Sequence, residues 1–169
     1  MPADDDERRR CIEALEATIV DSRSGLPEDV FLFVSRLTPL VNVDLLIQDE
    51  RSRTLLTWRD DVFFGSGWHV PGGIIRYKES AETRILACAR EELGTDVSWE
   101  PAPVLVSETI HAPRSRGHFI SLLFRCRLLG ELDDSRRAAA DRPEAGQWRW
   151  HEGCPPNLID VQSQYARFF

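Results

Sequence analysis

The stretch that most limits this chain is Gly72-Gly73 and the helical pattern that follows it to Gly94. A glycine pair lets a backbone carbonyl approach a ligand closely. Ser80 can cap a helix over residues 80–93, and Glu79 and Glu82 lie near its positive start. Ala81, Ile85, Cys88 and Ala89 fall at i, i+4, i+7 and i+8, an apolar stripe that asks for a core. Gly94 ends the helix as a C′ residue. Just before it stand Glu91 and Glu92. Neighbours on a helix point ~100° apart, so the two carboxylates cannot both face one point. One of them, a glycine carbonyl and a third oxygen from a loop would suit Mg²⁺, which takes oxygen ligands and keeps waters and substrate phosphates. A surface helix ending in solvated glutamates is the plain alternative, and the charge pattern by itself favours it.

The surroundings of this helix read as strands. From Thr38 on, Val41, Val43, Leu45 and Ile47 share one side of an extended segment, and Asp44 lies on the other. A second strand covers residues 54–59. Gly65, Ser66 and Gly67 read as a flexible loop, and Trp68 to Val70 leads into Pro71-Gly72-Gly73. Residues 104–111 and 119–129 form two further strands joined by a basic loop, Pro113-Arg114-Ser115-Arg116-Gly117. Residues 130–146, polar and alanine-rich, read as a mobile loop. Residues 148–151 give a short strand, and a final helix follows Pro155-Pro156.

Ahead of the strands, Cys11, Ile12, Leu15, Ile19 and Val20 recur at helical spacing over residues 6–20. Ser24-Gly25-Leu26-Pro27 breaks that helix, and Pro27 suits the first turn of a short one ending near Arg36. This part reads as an accessory layer or a dimer arm. The order predicts an α/β protein: a mixed sheet sandwiched between helices, as one domain over 1–169, with a helical extension over 1–36 and the core over 37–169.

Composition narrows the partners. Lys plus Arg number 21 and Asp plus Glu 28, a net charge of −7. That sign excludes a broad electrostatic grip on nucleic acid. A phosphate compound can still be bound through a few placed arginines or a metal ion. The four cysteines, Cys11, Cys88, Cys126 and Cys154, form no CxxC pair, and neither a zinc site nor a disulfide framework reads from them. The charged start lacks an apolar signal core, and no window reaches the ~20 apolar residues of a membrane span. The expectation is a soluble, cytoplasmic protein.

The spacing around the glycine pair resembles the Nudix box, Gly-x5-Glu-x7-Arg-Glu-apolar-x-Glu-Glu-x-Gly-apolar. Gly73, Glu79, Glu91, Glu92 and Gly94 match. The Arg-Glu-apolar step is Ala87-Cys88-Ala89, so its two polar positions are lost, and Thr95 replaces the last apolar residue. Thr38-Pro39-Leu40-Val41-Asn42-Val43-Asp44, Arg59, Trp68-His69-Val70-Pro71-Gly72-Gly73 and the Trp-Arg-Trp strand near Trp148 are similar to the GDP-mannose mannosyl hydrolase branch of Nudix enzymes. The resemblance runs from about Thr38 to Trp150.

That resemblance implies a homodimeric, Mg²⁺-dependent hydrolase (Mn²⁺ would also serve) of a GDP-sugar, of the GDP-mannose or GDP-glucose type. Water attacks the anomeric carbon, releasing GDP and free sugar. Carried over by position, Gly72 and Glu92 bind the metal, with Glu91 beside them and Glu144 as the loop ligand. Asp44 falls on an active-site aspartate, and Arg59 on an arginine at the leaving diphosphate. His111 matches a histidine at a strand end. Arg76, Arg114 and Arg116 are further candidates for substrate binding. No nucleic acid or membrane partner is implied. The departures are Ile74 and Ala87, where the family carries arginines, and Ala145, aligned with its catalytic histidine. Two other readings stay open: attack at phosphorus, as in a nucleotide-sugar diphosphatase, and a catalytically weak nucleotide-sugar binding or regulatory module.

Overall fold

The structure, a computed structural model, describes residues 4–111, 116–138 and 142–169. Its centre is β1 (Leu40–Ile47), in which Val43, Leu45, Leu46 and Ile47 are at most 1% exposed. A strand buried on both faces reads as a nearly continuous apolar run, and the four residues from Leu45 back to Asn42 break that run only at two polar positions, Asp44 and Asn42. β2 (Thr54–Asp61), β3 (Gly65–His69) and β4 (Gly72–Ile74) follow. Then come α3 (Ala81–Cys88), β5 (Val97–Trp99), β6 (Leu105–Ile110), β7 (His118–Leu128) and β8 (Trp148–His151). Two helices precede the strands, α1 (Asp5–Glu16) and α2 (Glu28–Val34).

Two sheets form. In the first, β1 pairs antiparallel with β4 and parallel with β7. β7 is long enough to take two antiparallel partners, β6 along its first half and β5 near its end. The second sheet is β3-β2-β8, antiparallel throughout. On one face of β1, Val43, Leu45 and Ile47 pack with Ile85, Cys88, Ala89 and Leu93 from α3 and its extension. On the other face, Leu46 meets Leu56, Trp68, Val70 and Tyr165. The mixed sheet therefore has α3 on one side and a 3-10 segment, Asp160–Phe168, on the other, while the second sheet feeds both cores: Leu55 and Trp148 join the α3 side, and Leu56 and Trp68 join Tyr165. The expected α/β layering with helical cover is present.

Several boundaries differ from expectation. The first helix stops at Glu16 and buries no residue, because Ile12 and Leu15 meet no partner surface among the described residues. α2 ends at Val34, and Pro27 sits just outside it in an extended conformation rather than in the first turn. Gly65-Ser66-Gly67 is strand, not loop: the segment pairs with Asp61, Asp60 and Arg59 of β2. Gly67 allows a close approach there, since a Cβ would meet the Asn157 carbonyl at 2.7 Å and Ile159 Cγ2 at 2.8 Å. β5 was not expected; three residues are too few to show a period. Within 130–146, residues 139–141 lie outside the described ones, while Asp134–Arg136 forms a 3-10 turn and Ala138 is buried. The closing helix is 3-10 in type. α3 matches its pattern, with Ser80 Oγ accepting from the Thr83 N–H at 3.1 Å, and its last turn, Ala89–Leu93, widens to a π turn ending at left-handed Gly94.

Candidate active site

β1 brings Asn42 and Asp44 to the face opposite α3, and β4 lies beside it in the register Asp44↔Gly72. Gly72 must be glycine: a Cβ would stand 2.4 Å from the Val43 carbonyl and 2.5 Å from Asp44 Oδ1. Asp44, Arg59, Gly72 and Arg116 line one pocket, together with His69 and Gln162. Glu92 lines an adjoining one with Thr57, Arg59, His69 and Ala145. Arg59 and His69 border both.

Asp44 is 4% exposed. Its Oδ2 accepts from the Tyr165 hydroxyl at 2.5 Å and from Asn42 Nδ2 at 2.8 Å, and Oδ1 accepts from Gln162 Nε2 at 3.3 Å. Asn42 is itself oriented by Ser121, whose hydroxyl donates to Asn42 Oδ1. Burial pushes the Asp44 carboxyl up to about 7; the Tyr165 bond opposes this and the nearby Glu92 charge adds to it. The group therefore changes charge near neutral pH.

The π turn at Ala89–Leu93 directs Glu92 inward and leaves Glu91 exposed. Glu92 Oε1 accepts from the Gly72 N–H at 2.8 Å, and Oε2 from the Thr57 hydroxyl at 2.8 Å. Thr57 Oγ1 is also 3.0 Å from His69 Nε2, while His69 Nδ1 lies 3.0 Å from the Val70 carbonyl. A carbonyl accepts only, so Nδ1 carries the proton. Burial keeps His69 below its usual pKa, against the pull of Glu92. With His69 neutral, the single Thr57 proton has two acceptors, Nε2 and Glu92 Oε2. Among the described residues no group of three or more His, Cys, Asp and Glu side chains is arranged to hold a metal ion. The oxygen donors at hand, Glu92 and the Gly72 backbone, suit a magnesium ion whose shell is completed by water and phosphate.

The cationic wall is built differently. Arg59 Nε pairs with Asp61 at 2.8 Å, and its guanidinium lies 5.2 Å from the Phe64 ring centre. The Arg116 guanidinium sits 5.1, 5.0 and 5.5 Å from the rings of Phe31, Phe63 and Phe64. Its Nε is buried with no hydrogen-bond partner. Ring faces attract a cation without occupying its N–H donors.

The remaining sequence candidates lie elsewhere. Arg76 is exposed, with Nη1 3.5 Å from the Arg23 carbonyl. Glu144 is exposed and its N–H donates to Gln147. Thr109, not His111, is the β6 residue on the pocket wall, and the His111 N–H donates to the Gly117 carbonyl. Arg114 lies outside the described residues. Ile74 and Ala145, the departures from the family pattern, do border the two pockets. Near the third departure, Arg84, one turn before Ala87, is 4% exposed and grips Glu79 through two bonds of 2.9 Å. Cys88 is buried beneath the glycine pair, where a Cβ on Gly73 would lie 2.7 Å from its Sγ, and burial pushes its thiol up to about 12.

Sequence reasoning missed Thr57, His69, Gln162 and Tyr165. For the first two a signal existed, since β2 and β3 are adjacent strands and Thr57 and His69 are directly opposed. Gln162 and Tyr165 carry no motif.

Comparison with known proteins agrees with this layout. Over 75 residues the chain is 36% identical to the low-salt glycan biosynthesis protein Agl8 of Haloferax volcanii, a match covering 44% of this chain and 47% of that protein. The chain thus spans about half the length of that curated relative. Among solved structures, the MutT NUDIX hydrolase of Burkholderia pseudomallei superposes with a TM-score of 0.60 at 24% identity, covering 77% of this chain and 97% of that one. A possible asymmetric diadenosine tetraphosphate hydrolase from Jonesia denitrificans gives 0.61 at 20% identity, covering 78% and 92%. A UDP-X diphosphatase gives 0.55 at 18% identity, covering 92% and 74%. At such identities these likenesses speak for the fold. The NUDIX domain family matches residues 38–153, which hold β1 to β8 and both pocket walls except Gln162 and its neighbours, and the chain belongs to the Nudix family.

Proposed function

We propose that the protein is a Mg²⁺-dependent hydrolase of a GDP-sugar, with water attacking the anomeric carbon and GDP leaving. One observation carries the reading: the box helix sends a single carboxylate, Glu92, into the site, while the pocket beside it pairs a carboxyl that ionises near neutrality with two guanidiniums. Attack at phosphorus calls for several helix carboxylates, and here Glu91 is exposed and position 88 is a buried cysteine. The diphosphatase named among the structural neighbours keeps that second reading in view.

Glu92 and the Gly72 carbonyl would hold the metal, which when bound neutralises charge on the departing diphosphate. Arg59 and Arg116 supply N–H donors to the same leaving group. Ionised Asp44 takes a proton from the attacking water as the carbon–oxygen bond to the diphosphate breaks and its electron pair leaves with GDP. His69 and Thr57 orient Glu92. The homodimer fits α1, whose Ile12 and Leu15 stay exposed.

Phosphorus and proton NMR of GDP-mannose and GDP-glucose with Mg²⁺ tests the reading. GDP and free sugar, with label from ¹⁸O-water on the sugar, are expected. GMP and sugar 1-phosphate would select attack at phosphorus. Tight binding without turnover across GDP-hexoses would select the binding module.

A further inference from the structure

The Asp44 carboxyl group is gripped unevenly. Oδ2 receives two short bonds, from Tyr165 at 2.5 Å and Asn42 at 2.8 Å. Among the described residues, Oδ1 receives the long contact from Gln162 at 3.3 Å. Each carboxylate oxygen has about two lone-pair positions, so Oδ2 is filled and Oδ1 is not. Oδ1 is also the oxygen that faces Gly72, where only the missing Cβ leaves room.

Both controlling side chains come from Asp160–Phe168, outside the residues matched to the family. Tyr165 is fully buried and Gln162 nearly so. Gln162 is tied at its other end: its Oε1 accepts from the Val70 N–H at 2.7 Å, and its Nε2 also reaches the Val70 carbonyl at 3.3 Å. That carbonyl is the partner of His69 Nδ1. The 3-10 segment thus links the Asp44 strand to the strand end that carries His69 and then Gly72.

We propose that Tyr165 and Gln162 are positioning residues that fix the rotation of the Asp44 carboxyl group, so that Oδ1 is the oxygen offered to the reacting water. The inference rests on the reading above, in which Asp44 serves hydrolysis. A structural role alone would make Tyr165 merely one ring among Leu46, Leu56 and Trp68. A positioning role makes its hydroxyl matter only while Asp44 is present.

The test is a double-mutant cycle with Tyr165→Phe and Asp44→Asn, in the full chain with Mg²⁺. Tyr165→Phe keeps the ring and should lower kcat about tenfold to a hundredfold, the cost of a misplaced reacting group, with KM within twofold. In the Asp44→Asn background it should cost less than twofold, because coupled groups are not additive. Equal costs in both backgrounds, or an unchanged kcat, would overturn the proposal and leave the functional reading standing. If the wild-type protein turns over no GDP-hexose, that reading fails by itself. The ¹³C-carboxyl resonance of Asp44, assigned by its loss in Asp44→Asn, then decides: a shift on Tyr165→Phe supports the positioning, and an unmoved resonance refutes it. Should Tyr165→Phe not fold, Gln162→Leu carries the same cycle and the same resonance.

Discussion

The two walls of the pocket are held by opposite means. The acidic wall, Asp44 and Glu92, is fixed by directional bonds: Tyr165, Asn42 and Gln162 on one carboxyl, Thr57 and the Gly72 N–H on the other. The cationic wall, Arg59 and Arg116, leans largely on phenyl faces, with Asp61 as the ion partner of Arg59. Directional bonds set where a carboxylate oxygen points. Ring faces set only where a guanidinium plane lies and leave its donors for an incoming anion. The acidic wall is held by direction, and the cationic wall by proximity to ring faces.

The sharpest way to break the contrast is Arg59→Ala. Loss of one donor set at a developing anion costs about 10²–10³ in kcat. Under the proposed GDP-sugar reading, steady-state kinetics should show this loss mainly in kcat, with thermal stability little changed. A loss confined to KM would make Arg59 a grip on bound substrate alone and count against its proposed role at the leaving diphosphate.

Next in size is a pH effect on the acidic wall. The folded-state pKa of Asp44, about 7, lies above its unfolded value near 3.8. Between those values the folded protein binds more protons, so stability falls as pH rises. From pH 5 to 7 the fall should be about 2 kcal/mol, at 1.36 kcal/mol per pH unit with partial saturation near the top. Urea unfolding of metal-free protein would measure it, and Asp44→Asn should flatten the slope over that window. A slope that survives in Asp44→Asn would assign the effect to another group.

The smallest expected effect is Phe31→Ala. A partly exposed cation–ring contact is worth about 0.5–1 kcal/mol, so KM should rise about two- to fivefold with kcat unchanged. A large fall in kcat would mean that Arg116 is placed as strictly as Asp44.

What could be read from the sequence divides along similar lines. β1, α3 and the glycine pair announced themselves because each is dictated by a short, dense local pattern. Asp44, Arg59, Gly72 and Glu92 came with that pattern, and the structure brings them to two adjoining pockets. Their supports did not. Thr57 and His69 meet only through strand pairing, and Gln162 lies 118 positions from the oxygen it contacts. Arg84 was invisible because the motif places the guanidinium three residues later, yet one helical turn keeps it on the same face. Glu144 and Glu91 were named from spacing, which says nothing about exposure. Gly65-Ser66-Gly67 was misread because composition signalled a turn while tertiary pairing imposed a strand.

The parallel pairing of β1 with β7 also bears on how the molecule comes together in time. Asn42 and Ser121, bonded across that pair, are 79 positions apart. Contacts of such separation slow folding, because chain must be ordered before the contact rewards it. During synthesis the most apolar strand of the domain emerges long before the strand that will cover its edge. β4 and α3 can meet β1 early, whereas the oxygen of Asp44 acquires its last partners only when Gln162 and Tyr165 arrive. The pocket should therefore be among the last parts of the fold to mature, and a chain stalled before β7 is made would carry an unpaired β1 edge open to association with other chains.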